Sequence, residues 1–193
     1  MFKAWFNVLV SPKKTFEEEK TKASFKLVLF NWIIFGLVIG FVLTLLVFLH
    51  KFELSYISNY YLGLEQIMWT LLLGIVISLI GNVFSNMVFF TGSRLFGGKG
   101  HFKEQCYLTS LSLIGIALLT LILSIVPFIG SIILIIVDLY AFVLLLFALK
   151  ETHEFSLIKS LLTVIIIPII LLIIAFLIFG SLIFGLSPIP FAK

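Results

Sequence analysis

Charge is what this chain has least of. Asp, Glu, Lys and Arg make up 11% of its 193 residues, where soluble domains carry about 25%. Cysteine occurs once, at Cys106, which excludes an intrachain disulfide and any cysteine-rich metal cluster. Polar sequence is also short: the longest such stretch, residues 11–26, is one helix-sized piece, too small for a soluble domain. What fills the space is apolar, with 62% hydrophobic residues and a mean hydropathy of +1.27. A soluble domain of this size leaves roughly 30% of its unfolded-chain surface in water, and no such fold hides so much apolar side chain. A soluble enzyme, a disordered tail and a free nucleic-acid-binding domain are excluded. The excess of 13 basic over 9 acidic residues therefore does not point to nucleic acid. The chain is an integral membrane protein.

A helix needs about 20 apolar residues to cross a hydrocarbon core of roughly 30 Å. Leu27 to Leu49 is an uncharged run between Lys26 and His50-Lys51, and makes the first span. Gln66 to Ser93, between Glu65 and Arg94, makes the second. Gln105 to Val137 is too long for one helix, and Pro127-Phe128-Ile129-Gly130 breaks it into spans of 106–126 and 130–149, an α-hairpin with almost no loop. The fifth runs over 160–184, with Pro168 expected to kink it.

The positions of lysine and arginine give an independent test through the positive-inside rule. Six precede the first span, three (Arg94, Lys99, Lys103) lie between the second and third, and two (Lys150, Lys159) lie between the fourth and fifth. Only Lys51 and Lys193 fall on the other side. The spacing predicts a cytoplasmic N-terminus and an outer C-terminus. The first apolar stretch begins at residue 27 and has no small-residue cleavage site, so it reads as an uncleaved signal anchor. The resulting division is a basic, amphipathic lead-in over 1–26, a five-helix membrane domain over 27–184 and a short outer tail over 185–193.

Phe2, Trp5, Phe6 and Leu9 recur at helical spacing, which predicts an amphipathic helix lying in the membrane interface on that face. Ser11-Pro12 opens a second helix, with serine as N-cap and proline at N1. The lysines that follow serve as topology signal and anchor, or as part of a docking site for a cytosolic partner.

Polar residues inside the spans are few and patterned. Gly74, Ser78, Gly81, Asn82, Ser85, Asn86, Gly92 and Ser93 share one arc of the second span, and Gly36, Gly40 and Thr44 form a G-x-x-x-G face on the first. Small residues at this spacing let helix backbones approach, and Asn or Ser hydrogen-bonds across the gap. The fifth span has no such face and is expected to be peripheral. Asp138 is the single charge within a span, at a depth similar to Asn82. Ionised there it costs about 2.5–3.5 kcal/mol, so it is expected protonated or bonded to Asn82, Asn86 or Ser112. That cluster is either a polar clamp between spans or a proton- or cation-linked site.

Recognisable catalytic chemistry is absent. There is no G-x-S-x-G nucleophile setting, and Gly97-Gly98-Lys99-Gly100 does not meet the phosphate-loop pattern and is read as a flexible turn. His101, Cys106 and His153 lie at the cytoplasmic rim near Glu104, Glu151 and Glu154, but their spacings fit no metal-ligand pattern. No metal, cofactor or catalytic residue is expected. Lys99, Lys103, His153 and Lys159 are instead candidates for a cytoplasmic docking rim.

Four segments carry a resemblance. Leu9-Val10-Ser11-Pro12-Lys13-Lys14-Thr15-Phe16 before the first span resembles the "P-x-x-x-F" lead-in of prokaryotic Yip-domain proteins, relatives of the Ypt/Rab-interacting membrane proteins. Leu95-Phe96-Gly97-Gly98-Lys99-Gly100-His101-Phe102-Lys103 is similar to that family's "GGxGxF" loop. The Val126-Pro127-Phe128-Ile129-Gly130 turn and the His153, Ser156, Lys159 stretch follow in order. The resemblance implies a self-associating five-helix membrane domain without catalytic activity. In eukaryotic members it implies a role in vesicle traffic.

The fold class is thus all-α, a five-span membrane protein. The expected function is a non-enzymatic scaffold or interaction protein, contacting the bilayer, its own copies and other membrane or cytosolic proteins. The expected site is a prokaryotic plasma membrane, with an ER or Golgi membrane as the alternative. The competing function is a small oligomeric transporter or channel built around Asp138 and Asn82.

Overall fold

The computed structural model describes residues 2–54, 64–124 and 129–185, with side chains described over 2–45, 64–124 and 133–178. Pro127, Phe128 and most of the outer tail lie outside the described residues. Within them the chain forms seven helices and no strand: α1 Phe2–Val10, α2 Pro12–Lys20, α3 Phe25–Leu54, α4 Leu64–Leu95, α5 Phe102–Ser124, α6 Ile129–His153 and α7 Leu157–Gly185. Helices α3 to α7 are each long and apolar enough to cross a membrane. They run past the uncharged stretches and take in Lys26, Arg94, Lys103 and Lys150.

The helix ends follow local chemistry. At α3 the Ser24 Oγ accepts from the Leu27 amide at 3.3 Å, and at α5 Glu104 reaches back to the His101 amide at 3.3 Å, so donors without a helical partner are met. Ser11 holds the N-cap position of α2, but its side chain makes no capping bond. Proline at the first position leaves one donor fewer to satisfy, and Thr15 Oγ1 donates back to the Ser11 carbonyl at 2.8 Å.

Helix α5 is the centre of the bundle. Tyr107, Leu108, Leu111 and Ile114 on it are fully buried against Val28 and Trp32 of α3 and Ala148 of α6. Helices α3 and α4 pack through glycine. A methyl group on Gly36 would come within 2.6 Å of the Ile75 Cα, and one on Gly74 within 2.6 Å of the Gly36 carbonyl oxygen. The G-x-x-x-G face is therefore used within the chain, where only a missing side chain permits this approach. Helix α7 packs on α4 and α6, continues through Pro168, and leaves most of its described side chains exposed.

Helix α1 departs from the sequence expectation. Its buried face is Ala4, Trp5 and Val8, while Phe2 and Phe6 point outward. The Trp5 carbonyl lies 2.8 Å from where a Cβ on Gly115 would stand, and Tyr140 donates to the Leu9 carbonyl at 2.7 Å. The helix is docked on the side of the bundle, and a glycine in mid-α5 makes room for it. Hydrophobic spacing alone gave the element but not its rotation: Trp5, expected to face the membrane with Phe2 and Phe6, is buried in the bundle, while the two phenylalanines stay exposed.

Candidate functional site

The end of α2, the α4–α5 loop and the α6–α7 loop meet at one end of the bundle, here termed the basic end. Helix α4 stops there at Gly97, whose φ is +83°. The amides of Gly97 and Gly98 donate to the Arg94 and Ser93 carbonyls at 3.0 and 2.8 Å, the paired bonds of a Schellman ending that glycine permits. Arg94 then donates to the carbonyls of Gly98 at 3.2 Å and Gly100 at 3.0 Å, with its guanidinium 5.0 Å above the Phe90 ring. A Cβ on Gly98 would press on the His153 ring, 2.7 Å from Nδ1, and one on Gly100 would strike the Thr152 carbonyl. The segment expected to be a flexible turn is fastened on both sides.

His153 lies beneath this loop, not on a docking rim. It is fully buried, stacked on Phe155 with ring centroids 5.5 Å apart. Its Nε2 meets Gln105 Oε1 at 2.8 Å. Gln105 Nε2 donates to the Asn86 carbonyl and Oδ1 at 2.8 and 3.2 Å, and Thr109 Oγ1 donates to the same Oδ1 at 2.9 Å. Because the Gln105 amide spends its nitrogen on Asn86, its oxygen faces the imidazole, and the bonding assigns the ring proton to Nε2. The bare Nδ1, packed under Gly98, has no partner among the described residues. Three helices and a loop are joined through Gln105, which sequence reasoning passed over. A single glutamine at the start of a span carries no periodicity to mark it.

Asn82, Asn86 and Ser112 are brought together. They line one crevice of about 280 Å³ between α4, α5 and α6, beside Ser85, Thr109 and Phe142. Asp138 does not join them. It is exposed, with no hydrogen bond or ion pair among the described residues. Val137 and Leu144, seven residues apart, set the buried face of α6, and Asp138 falls about 100° round from Val137. The expected bonds to Asn82, Asn86 and Ser112 are replaced by others: Asn82 Nδ2 donates to the Ser78 carbonyl at 2.8 Å, and Ser112 Oγ donates to the Leu108 carbonyl at 3.2 Å.

Lys99, Lys103 and Lys159 are exposed at the basic end, and none is in an ion pair among the described residues. Lys20 is engaged: its Nζ lies 2.9 Å from Glu154 and donates to the Glu151 carbonyl at 3.0 Å, tying α2 to the end of α6. Glu19 accepts from the Tyr107 hydroxyl at 2.8 Å and pairs with Lys22 at 2.7 Å. Burial raises the Glu19 pKa, but the hydrogen bonds from Lys22 and Tyr107 outweigh it and hold the carboxyl below its ordinary value. Among the described residues, no three His, Cys, Asp or Glu side chains come together to hold a metal ion. The arrangement provides a stiff, basic surface above a bundle with a lateral crevice.

In comparison with known proteins, the family model described as "Yip1 domain" matches residues 6–179. No curated protein and no solved structure matches the chain.

Proposed function

The chain belongs to the Yip1 domain family, and on that premise we propose that it is a non-enzymatic scaffold of the membrane. It self-associates within the bilayer and presents its basic end to cytosolic or membrane partners. The N-terminus faces the cytoplasm and the host membrane is a prokaryotic plasma membrane. The observation that carries this reading is the contrast at the basic end. The α4–α5 loop is held by Arg94, His153 and Thr152, while Lys99, Lys103 and Lys159 stand unpaired around it. A rigid loop with free cations suits recognition of an acidic surface, because the ordering cost is already met before binding. His153 contributes by supporting that loop from below rather than by contact with a partner.

The test is neutralisation of Lys99, Lys103 and Lys159 to glutamine in the full chain. Proximity labelling in the native membrane should lose its cytosolic neighbours by about tenfold or more, as expected when several steering charges are removed, while membrane insertion is unchanged. An unaltered set of neighbours would sink the docking surface. The transporter reading requires Asp138 and Asn82 to act together. Asp138 is turned out of the crevice that Asn82 lines, and no observation favours that reading.

A further inference from the structure

The crevice between α4, α5 and α6 measures about 280 Å³. An apolar cavity of about 150 Å³ takes up benzene, so this one has room for about a dozen carbon atoms. Its polar floor is already satisfied. Asn86 Oδ1 accepts from Gln105 and Thr109, Asn86 Nδ2 donates to the Asn82 carbonyl, and Ser112 donates to Leu108. Two groups at the mouth are different. Asn82 spends its Nδ2 on Ser78, but its Oδ1 meets no donor among the described residues, and Ser85 Oγ has no partner there either. Ser93 and Ser160 also lack a partner among the described residues, but both are buried, whereas Ser85 opens onto the crevice. Thr44, Thr70, Thr152, Thr163 and Ser112 all turn their hydroxyls back onto the carbonyl four residues earlier, the ordinary way to satisfy a hydroxyl on a helix in lipid.

Asn82 and Ser85 stand three residues apart and so share a face of α4. Asn82 is half-buried, Ser85 is exposed, and Phe142 opposite is half-buried. The mouth therefore opens sideways between helices, toward the side where acyl chains lie.

We propose that this crevice holds the chain and free hydroxyl of an uncharged membrane lipid of the diacylglycerol type. The open Asn82 Oδ1 only accepts, so the occupant has to donate, which a hydroxyl does and an ester does not. The nearest charge on α4 toward the basic end is Arg94, nine residues beyond Ser85 and twelve beyond Asn82. At 1.5 Å per residue these are about 14 and 18 Å. A phosphate headgroup stays hydrated at the level of such charges, whereas an uncharged hydroxyl follows its chain inward at much lower cost. The chain fills the apolar walls, and the hydroxyl bridges Asn82 and Ser85.

The experiment uses the full chain in phosphatidylcholine vesicles with a diacylglycerol carrying a diazirine in one acyl chain. Two comparison probes have the same chains: one with its hydroxyl capped as an acetate, one a phosphatidylcholine. The diacylglycerol should label α4 and α6 peptides at the crevice. Capping the hydroxyl, or the substitution Asn82→Leu, should reduce that labelling about fivefold, the value of one hydrogen bond. Ser85→Phe, on an exposed position that tolerates bulk, should abolish it while labelling along α7 persists. If the three probes label the crevice equally, or if Ser85→Phe leaves labelling unchanged, the crevice holds ordinary surrounding lipid and the proposal is overturned. The same holds if none of the probes reaches it.

Discussion

The α3–α4 seam and the basic end bring helices together in opposite ways. At the seam the fastening is absence: Gly36, Gly40 and Gly74 carry no side chains, and backbone meets backbone. Among the described residues, one side-chain bond crosses there, from Ser78 Oγ to the Trp32 carbonyl at 2.9 Å. At the basic end glycines are again pressed against a neighbour, but what they press on is polar. Gly98 covers His153, and the imidazole, Gln105, Asn86 and Thr109 form a buried chain of hydrogen bonds. In lipid there is no hydrophobic drive between helices, so packing and hydrogen bonding have to do the joining. The seam relies chiefly on packing, which specifies closeness. The basic end adds a chain of bonds, which specify rotation and register.

The sharpest way to break this comparison is at His153. Replacing it by alanine removes a buried ring and leaves Gln105 Oε1 without its donor, which should cost about 3–5 kcal/mol of stability. Unfolding in a detergent titration followed by circular dichroism measures it. A loss below about 1 kcal/mol would mean that the buried chain is not a fastener, since that is the size of one ordinary hydrogen bond. The seam should respond to bulk instead. Gly36→Ala puts a methyl against the Ile75 backbone and should cost about 1–3 kcal/mol, whereas Ser78→Ala, which deletes the hydrogen bond, should cost about 0.6 kcal/mol. Reversal of that order would remove the distinction between the two regions.

The same two regions show what could be read from the sequence. The five spans follow from hydropathy and length, because lipid demands about 20 apolar residues per crossing. The seam follows from Gly36 and Gly40, because four-residue spacing of glycines has a geometric meaning on any helix. The basic end was legible as a charge pattern but not as a structure. Gln105 is one polar residue in an apolar run, and nothing in the run says that His153, 48 residues on, will meet it. His153 and Asp138 were misplaced for a common reason. Hydropathy fixes how deep a residue lies but not which way its helix is turned, and in a bundle with lipid outside both faces are apolar. For α6 the rotation is settled by Val137, Leu144, Ala148 and Leu149 packing inward, and Asp138 is carried outward with it.

The smallest expected effect lies where the basic end holds α2. Glu19 and Glu154 both have carboxyl pKa values below the ordinary 4.5, Glu19 because the bonds from Lys22 and Tyr107 outweigh its burial, Glu154 through its bond to Lys20. A lowered native value means that the unfolded or detached segment binds protons more readily. The contacts therefore contribute fully above pH 4.5 and are lost as pH falls through the depressed values. Acid should loosen α2 from α5 and α6 before it opens the α3–α4 seam, whose glycine contacts contain no titratable group. Hydrogen-exchange protection factors, normalised for intrinsic rates, should fall along α2 between pH 5 and pH 3 while those of α3 and α4 at the glycine seam hold. Tyr107→Phe removes one of the two bonds that pull the Glu19 value down, so the loosening should then begin at higher pH. Simultaneous loss of protection at the glycine seam, or a midpoint unmoved by Tyr107→Phe, would show that Glu19 does not hold α2 and that the molecule opens as one unit rather than by release of a detachable cover.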